Sequence, residues 1–326
     1  MRTRQSSNVA LRDYHPAQTL LVKDVLQSLQ RTPKQLSPMY FYDERGSQLF
    51  DQICELPEYY PTRTETRILE AHGDDIASRI GSNALLVEFG SGASQKTRLV
   101  LDRLPDLAAY VPVDISRSHL IAAAKSISTS YPGLEVLPVC ADFTQSFALP
   151  KPASAPSRVV VFFPGSTIGN FDRDAAINLL RVMRKVAGPN GGLVIGVDLI
   201  KDIPTLERAY DDAAGVTAAF NLNVLRHLNR EIGANFDLQS FRHEAKWAPD
   251  HNRIEMHLVS MRAQDVTIAG EKIHFAAGEH LVTEHCHKYS PNGFLSLAEA
   301  SGWVGQEIWM DERRLFSVHY LESAVD

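Results

Sequence analysis

The chain has 326 residues, a formal net charge of −6 and no run of Lys and Arg, so it lacks the basic stripe that neutralises nucleic-acid phosphates. Its longest apolar runs, Val159 to Phe163 and Leu193 to Ile200, fall well short of the ~20 residues of a membrane span, and Met1 to His15 lack the apolar core of a signal peptide; a cytoplasmic protein is expected. Three cysteines, Cys54, Cys140 and Cys286, are odd in number and far apart, which argues against a disulfide frame or a Cys-x-x-Cys metal site.

In chain order, Leu20 to Leu29 and Gly46 to Glu55 carry helical periodicity. Thr62, with Glu65 three residues on, has the form of a capping box that opens a longer helix. Leu85 to Val87 reads as a buried parallel strand, continued by Glu88 and Phe89 into Gly90-Ser91-Gly92, a turn whose glycines let backbone approach a ligand. A nicotinamide fingerprint needs a third glycine where Gln95 stands, so the dehydrogenase reading drops. Ala109 to Val113 is a second strand; it ends in Asp114, close to the ~20-residue spacing at which an acid meets ribose hydroxyls. Glu135 to Val139 is a third, followed by Asp142-Phe143, an acid for an adenine's exocyclic amine and a ring for its face. Arg158 to Phe163 is a fourth strand. A helix from Asp172 to Ala187 and the turn Pro189-Asn190-Gly191-Gly192 lead into the fifth, Leu193 to Leu199. Alone, Asp114 or Asp142 reads as a helix cap or a surface acid. In this order the elements point to a Rossmann-like sheet of the class I methyltransferase kind, binding S-adenosylmethionine.

Beyond the fifth strand the pattern changes. Asp202 can cap a helix with Pro204 in its first turn, and Thr217 another that ends at Gly233. Phe241 to Trp247 and Arg253 to Met261 form a predicted hairpin around Pro249-Asp250, followed by strands at Lys272 to Phe275 and Leu281 to Lys288. Ser290-Pro291 starts a last helix that ends near Gly302, and Val304 to Met310 with Leu315 to Leu321 close the sheet as an antiparallel pair. The expected organisation is therefore α/β: a methyltransferase domain of residues 63–200 and 288–326, and an α+β substrate-binding domain of residues 1–62 and 201–287.

Several segments carry a more specific likeness. Tyr40-Phe41-Tyr42-Asp43-Glu44-Arg45-Gly46-Ser47, Leu56-Pro57-Glu58-Tyr59-Tyr60-Pro61-Thr62-Arg63, Gly165-Ser166-Thr167-Ile168-Gly169-Asn170 and Ala209-Tyr210-Asp211-Asp212-Ala213-Ala214-Gly215-Val216-Thr217 resemble the histidine-specific Nα-methyltransferases of ergothioneine biosynthesis. Lys246-Trp247, Arg253-Ile254-Glu255-Met256 and Phe275-Ala276-Ala277-Gly278-Glu279 extend the resemblance over nearly the whole chain. It implies an enzyme that trimethylates histidine to hercynine with S-adenosylmethionine, acting on a free amino acid as a monomer. It also implies that Gly90, Lys96, Asp114, Asp142 and Phe143 hold the cofactor, and that Tyr42, Phe50, Tyr59, Gly165, Asn170, Tyr210, Met256 and Glu284 line the amino-acid pocket. From composition alone Lys96 reads as a solvated helix residue, and Tyr42, Phe50 and Tyr59 as core aromatics.

The chemistry expected is direct displacement by a neutral amine, with Asn170 and Tyr59 orienting the nitrogen and no strong base required. Asn170 stands just beyond the fourth strand, at the carboxyl edge where ligands of open α/β sheets bind. Tyr42, Phe50 and Tyr59 can receive the growing methylammonium on their π faces, and a quaternary nitrogen has no lone pair left to react. The chain departs from the family pattern at the ring-reading pair Glu-x-Ser, which here is Glu284-His285-Cys286. A thiol is a weaker hydrogen-bonding group than a hydroxyl, so either ring recognition weakens or the substrate is another aromatic or ring-modified amino acid. A catalytically silent binding relative is the third reading. Strand alternation separates Cys286 from His285 and His287, so no metal is expected, and Glu284 beside the thiol argues against a nucleophilic Cys286.

Overall fold

The computed structural model describes residues 11–14, 18–92, 95–145 and 147–324. An eight-stranded sheet runs in the order Arg12–Asp13, Val139–Cys140, Ala109–Asp114, Ala84–Phe89, Arg158–Phe163, Gly192–Asp198, Phe316–Ser323 and Trp303–Met310. The first six are parallel, and Phe316–Ser323 runs antiparallel to both of its neighbours. Register pairs such as Leu85 with Val159 and Val161 with Leu193 set β-branched and leucine side chains side by side. Ala84–Phe89 and Gly192–Asp198 are buried along their whole length, which is why they read as apolar runs without alternation.

Helices cover both faces. Ile68, Leu69 and Ile76 of helix Tyr60–Ile80 pack with Val100, Leu101 and Ile127 against Leu86, Phe162 and Val194. On the other face Leu179, Leu180 and Met183 of Arg173–Ala187, with Phe294 and Leu297 of Pro291–Glu299, cover Val87, Val161 and Ile195. The chain passes from Ala84–Phe89 to one neighbour and later returns to the other, so the switch point opens a crevice at the carboxyl ends of Ala84–Phe89 and Arg158–Phe163.

A four-stranded sheet lies beside that crevice, in the order Lys34–Gln35, His280–His287, Arg253–Ser260 and Phe241–Ala248. Phe220, Val224 and Leu225 of helix Val216–Ile232 and Ile53 of helix Glu44–Glu55 pack with Ile254 and Leu258 of this sheet in one core. The two sheets meet where the 3-10 turn Thr167–Asn170 touches strand His280–His287. A Cβ at Gly169 would lie 2.7 Å from the His287 carbonyl oxygen, so only glycine lets the turn approach this closely.

Some expectations need correction. The helix expected at Thr62 begins at Tyr60, with no side-chain cap, and Glu65 faces inward. Thr217 does not cap its helix; Gly215 precedes it at φ +73°, and Asp212 accepts from the amides of Val216 and Thr217 at 3.0 and 2.7 Å. The strand expected over Glu135 to Val139 is only Val139–Cys140, with Val136 bridging Tyr110. Arg12–Asp13, Lys34–Gln35 and Gln264–Ile268 are strands the sequence pattern did not reveal, and the first belongs to the large sheet. Among the described residues no helix is long and apolar enough to cross a membrane.

Candidate active site

The crevice widens into a cavity of about 610 Å³, within the usual range for a small-molecule site. Gly90, Lys96, Asp114, Asp142 and Phe143 all line it. Gly90 and Gly92 have φ of +72° and +47°, and the amides of Gly90 and Ser91 donate to the Val113 carbonyl at 2.8 and 3.3 Å, which folds the turn over the strand ends. A Cβ on Gly90 would reach within 3.8 Å of the Phe143 ring, so the turn and the ring bound the same space. Phe143 is itself fixed by Phe89 and Phe163, at centroid distances of 5.6 and 5.7 Å.

Asp114 accepts from the amides of Gly92 at 3.1 Å and Ser116 at 2.8 Å; burial raises its carboxyl and these amides oppose the rise. Asp142 accepts from the amide and hydroxyl of Thr144 at 2.9 and 2.7 Å, which pins its own turn. Glu88 is buried and bonded to Thr97 and Tyr110; burial pushes its carboxyl up to about 8, so it is mostly protonated at neutral pH.

A smaller pocket adjoins this cavity. Tyr42, Phe50, Tyr59, Gly165, Asn170, Tyr210, Met256, Glu284 and Cys286 all line it, so the nine predicted side chains and backbone positions meet in one place. Tyr42, Phe50, Tyr59, Gly165, Thr167 and Asn170 border both spaces. The aromatic wall is a chain of edge contacts, Tyr42 to Phe50 at 5.9 Å, Phe50 to Tyr59 at 6.3 Å and Tyr59 to Tyr210 at 6.0 Å. Burial raises the hydroxyls of Tyr42, Tyr59 and Tyr210 well above the ordinary tyrosine value, so all three are neutral donors. Asn170 Nδ2 donates to Glu284 Oε1 at 3.0 Å. Burial pushes Glu284 up to about 7, with the Lys288 charge and the Asn170 bond opposing.

A family model described as histidine-specific, S-adenosylmethionine-dependent methyltransferase matches residues 21–323. The chain belongs to this family. It is 44% identical over 296 residues to the histidine N-alpha-methyltransferase of Mycolicibacterium smegmatis, covering 89% of this chain and 91% of that one. To the protein of the same name in Mycobacterium tuberculosis it is 43% identical over 298 residues, covering 90% and 91%. Ergothioneine biosynthesis protein 1 of Neurospora crassa is 33% identical over 242 residues, which are 69% of this chain and 28% of that one.

In this methyltransferase the pocket is backed by a charged network. Lys288 is buried and donates to Asp198 Oδ2 at 2.6 Å, Tyr210 Oη at 2.8 Å and Cys286 Sγ at 3.0 Å. Tyr210 Oη and Cys286 Sγ are 2.7 Å apart. Asp198 also accepts from Lys201 Nζ at 2.5 Å and from Tyr60 Oη at 2.8 and 2.7 Å. Burial opposes both charges, yet Lys288 and Lys201 hold the Asp198 carboxyl below its usual range, and Asp198 holds the Lys288 ammonium well above its own. The Cys286 thiol is raised by burial first and by Glu284 only in part, and Lys288 opposes the rise. The setting of Cys286 is thus more electropositive than its same-face neighbour Glu284 implied.

Glu65 is the other residue that sequence reasoning misplaced. Its buried carboxylate accepts from Lys96 Nζ at 2.5 Å and from the Gly165 amide at 3.0 and 2.9 Å, joining a lysine of the larger cavity to the loop that walls the smaller pocket. It signalled nothing beyond a capping pattern. Lys288 did leave a trace, because alternation along the strand expected over Leu281 to Lys288 would place it on the same face as Glu284 and Cys286.

Proposed function

We propose that this protein transfers three methyl groups from S-adenosylmethionine to the α-amino nitrogen of L-histidine, giving hercynine. The observation that carries this reading is the shared wall of Tyr42, Phe50, Tyr59, Gly165, Thr167 and Asn170 between a nucleotide-sized cavity and an aromatic pocket ending in Glu284 and Cys286. The larger cavity suits the methyl donor chemically. Gly90 and Gly92 leave room for backbone approach, Asp114 and Asp142 offer carboxylates to ribose and adenine, the Phe143 ring offers a stacking face, and the Lys96 ammonium suits a carboxylate. Bound there, S-adenosylmethionine supplies an electrophilic sulfonium methyl.

The chain's own residues supply position. Asn170 and Tyr59 hold the amine at the shared wall by accepting its N–H groups on their oxygens, which leaves the lone pair free; Tyr59, neutral by its burial, orients and does not ionise. Close to a positive sulfonium the α-amine's pKa is lowered and its neutral form favoured, so removing its proton needs no strong base. Alignment at about 3 to 3.5 Å is then worth several kcal/mol of the barrier. Glu284 accepts an imidazole N–H and Cys286 makes the second, weaker contact with the ring. Tyr42, Phe50 and Tyr59 accommodate the cation as it gains methyl groups.

We assign substrate recognition to residues 1–62 and 201–287 and cofactor binding to residues 63–200 and 288–326, although Arg12–Asp13 pairs within the large sheet. We expect a working monomer, and a metabolite methylation drawing on an intracellular methyl donor supports a cytoplasmic site of action. Cys286 favours a second reading, in which the same chemistry acts on another aromatic or ring-modified amino acid. Mass spectrometry of the purified protein with S-adenosylmethionine and each amino acid in turn decides between them. Successive additions of three methyl groups to histidine alone support the first reading; a different amino acid methylated while histidine stays inert supports the second, and no turnover with any amino acid overturns both.

A further inference from the structure

Strand His280–His287 has two faces, and the one turned away from the pocket carries its own cluster. His285 Nδ1 and His287 Nε2 lie 3.4 and 3.2 Å from the same carboxylate oxygen of Asp172. The ligand atoms of the three residues all fall within 4.8 Å of one another. Around a tetrahedral Zn²⁺ with bonds of about 2.0 to 2.1 Å, neighbouring ligand atoms are separated by about 3.3 Å, so the two imidazole-to-carboxylate distances already match.

One outer partner matches as well. A ligating imidazole is commonly oriented through its second nitrogen by a carbonyl or a carboxylate. His287 Nδ1 sits 3.2 Å from the His251 carbonyl oxygen, and His285 Nε2, buried with no hydrogen-bond partner, faces Glu255 at 3.9 Å. The two histidine side chains are 12% and 16% exposed and Asp172 is 65% exposed, which leaves an entry path on the carboxylate side.

Arg253 is the competitor. Its Nη1 donates to the same Asp172 oxygen at 2.9 Å, but its Nε and Nη2 are bonded to Glu255 at 2.8 and 2.6 Å, so it keeps a partner when Asp172 turns to an ion. With neutral imidazoles, two carboxylates and one guanidinium leave the cluster net negative.

We propose that Asp172, His285 and His287 form a binding site for a divalent transition-metal cation, Zn²⁺ by its nitrogen and oxygen donors. Asp172 is two residues past Asn170, and His285 lies between Glu284 and Cys286 in the chain. A bound ion ties the Asn170 turn to the ring-reading strand from outside the pocket, with no contact to either substrate.

The test uses untagged, chelator-stripped protein titrated with Zn²⁺ by calorimetry, and with Co²⁺ by visible absorption. The expected result is one ion per chain, raised thermal stability relative to chelator, and a Co²⁺ spectrum with d–d bands but no thiolate charge transfer. His287→Gln and Asp172→Asn each lose at least about tenfold in affinity. Arg253→Gln gains affinity, because a competing cation is gone. Should one of the two ligand variants not fold, the other decides the matter. Wild-type protein without stoichiometric binding, thiolate bands in the Co²⁺ spectrum, ligand variants that bind as the wild type does, or a weaker Arg253→Gln would each overturn the site.

Discussion

The larger cavity is built from turns at the ends of neighbouring parallel strands, held there largely by backbone amides: Gly90 and Ser91 on the Val113 carbonyl, Gly92 and Ser116 on Asp114, Thr144 on Asp142. The pocket beside it is bounded by side chains from six separate stretches and backed by a buried network of Asp198, Lys201, Lys288, Tyr60 and Tyr210. The first kind of site tolerates side-chain change in its surroundings, since main-chain amides at the strand ends set much of its geometry. The second inherits its geometry from distant partners and from charges that must stay paired, so it is the half in which remote substitutions should be felt.

The severest test of that contrast is Lys288→Met. It leaves the Asp198 carboxylate buried with one fewer cation, and breaking a buried pair costs about 3 kcal/mol or more. We expect a clearly lowered melting temperature together with a loss of histidine affinity that exceeds any loss of S-adenosylmethionine affinity. Unchanged stability and affinity would show that the network does not support the pocket. Next in size is Asn170→Ala. A misaligned nucleophile costs on the order of 100-fold in turnover, while cofactor affinity measured by calorimetry should stay within about threefold. Asp114→Ala should do the reverse; if both variants lose the same quantity, the two-cavity division fails.

The same contrast explains what was legible in the sequence. The nucleotide half announces itself because its signals are local: an apolar strand, a Gly-x-Gly turn and acids at strand ends follow one another in order. The strand at Val139–Cys140, second from the sheet's edge, is shorter than the pattern predicts, because an apolar run records burial and not the number of ladder bonds. The pocket aromatics Tyr42, Phe50 and Tyr59 were indistinguishable from core residues by pattern, and only the family likeness singled them out. Glu65 shows the limit most sharply. A glutamate three residues after a threonine has the form of a cap, and nothing within its neighbourhood shows that Lys96 and Gly165 would be its partners.

Glu284 yields a prediction in which stability and function oppose one another. Its folded-state value of about 7 lies above the ordinary 4.5, so the folded protein binds its proton more tightly than the unfolded chain does. The stabilisation is complete below about pH 4.5 and is lost as the pH rises through 7. Glu284→Gln removes that loss and should raise the melting temperature at pH 8, by up to about 3 kcal/mol in stability. At the same time it removes the ionised acceptor, so the histidine KM should rise, and the improvement in KM expected of the wild type between pH 6 and 8 should shrink to the imidazole's own titration. A variant that binds histidine as well as the wild type at pH 8 removes Glu284 from ring recognition.

The smallest effect expected is also the most specific. Cys286 Sγ sits 2.7 Å from Tyr210 Oη and 3.0 Å from Lys288 Nζ, so its hydrogen-bonding capacity is largely taken up by the network before any ring arrives. In Cys286→Ser the hydroxyl keeps those partners and adds a stronger donor and acceptor toward the substrate. One improved hydrogen bond is worth about 0.5 to 1.5 kcal/mol, which puts the fall in the histidine KM at roughly tenfold or less, with kcat and cofactor affinity little changed. If Cys286→Ser instead loses histidine activity, the thiol is part of the pocket's fit to its substrate, and the search for that substrate turns to rings with an apolar edge where histidine has a nitrogen.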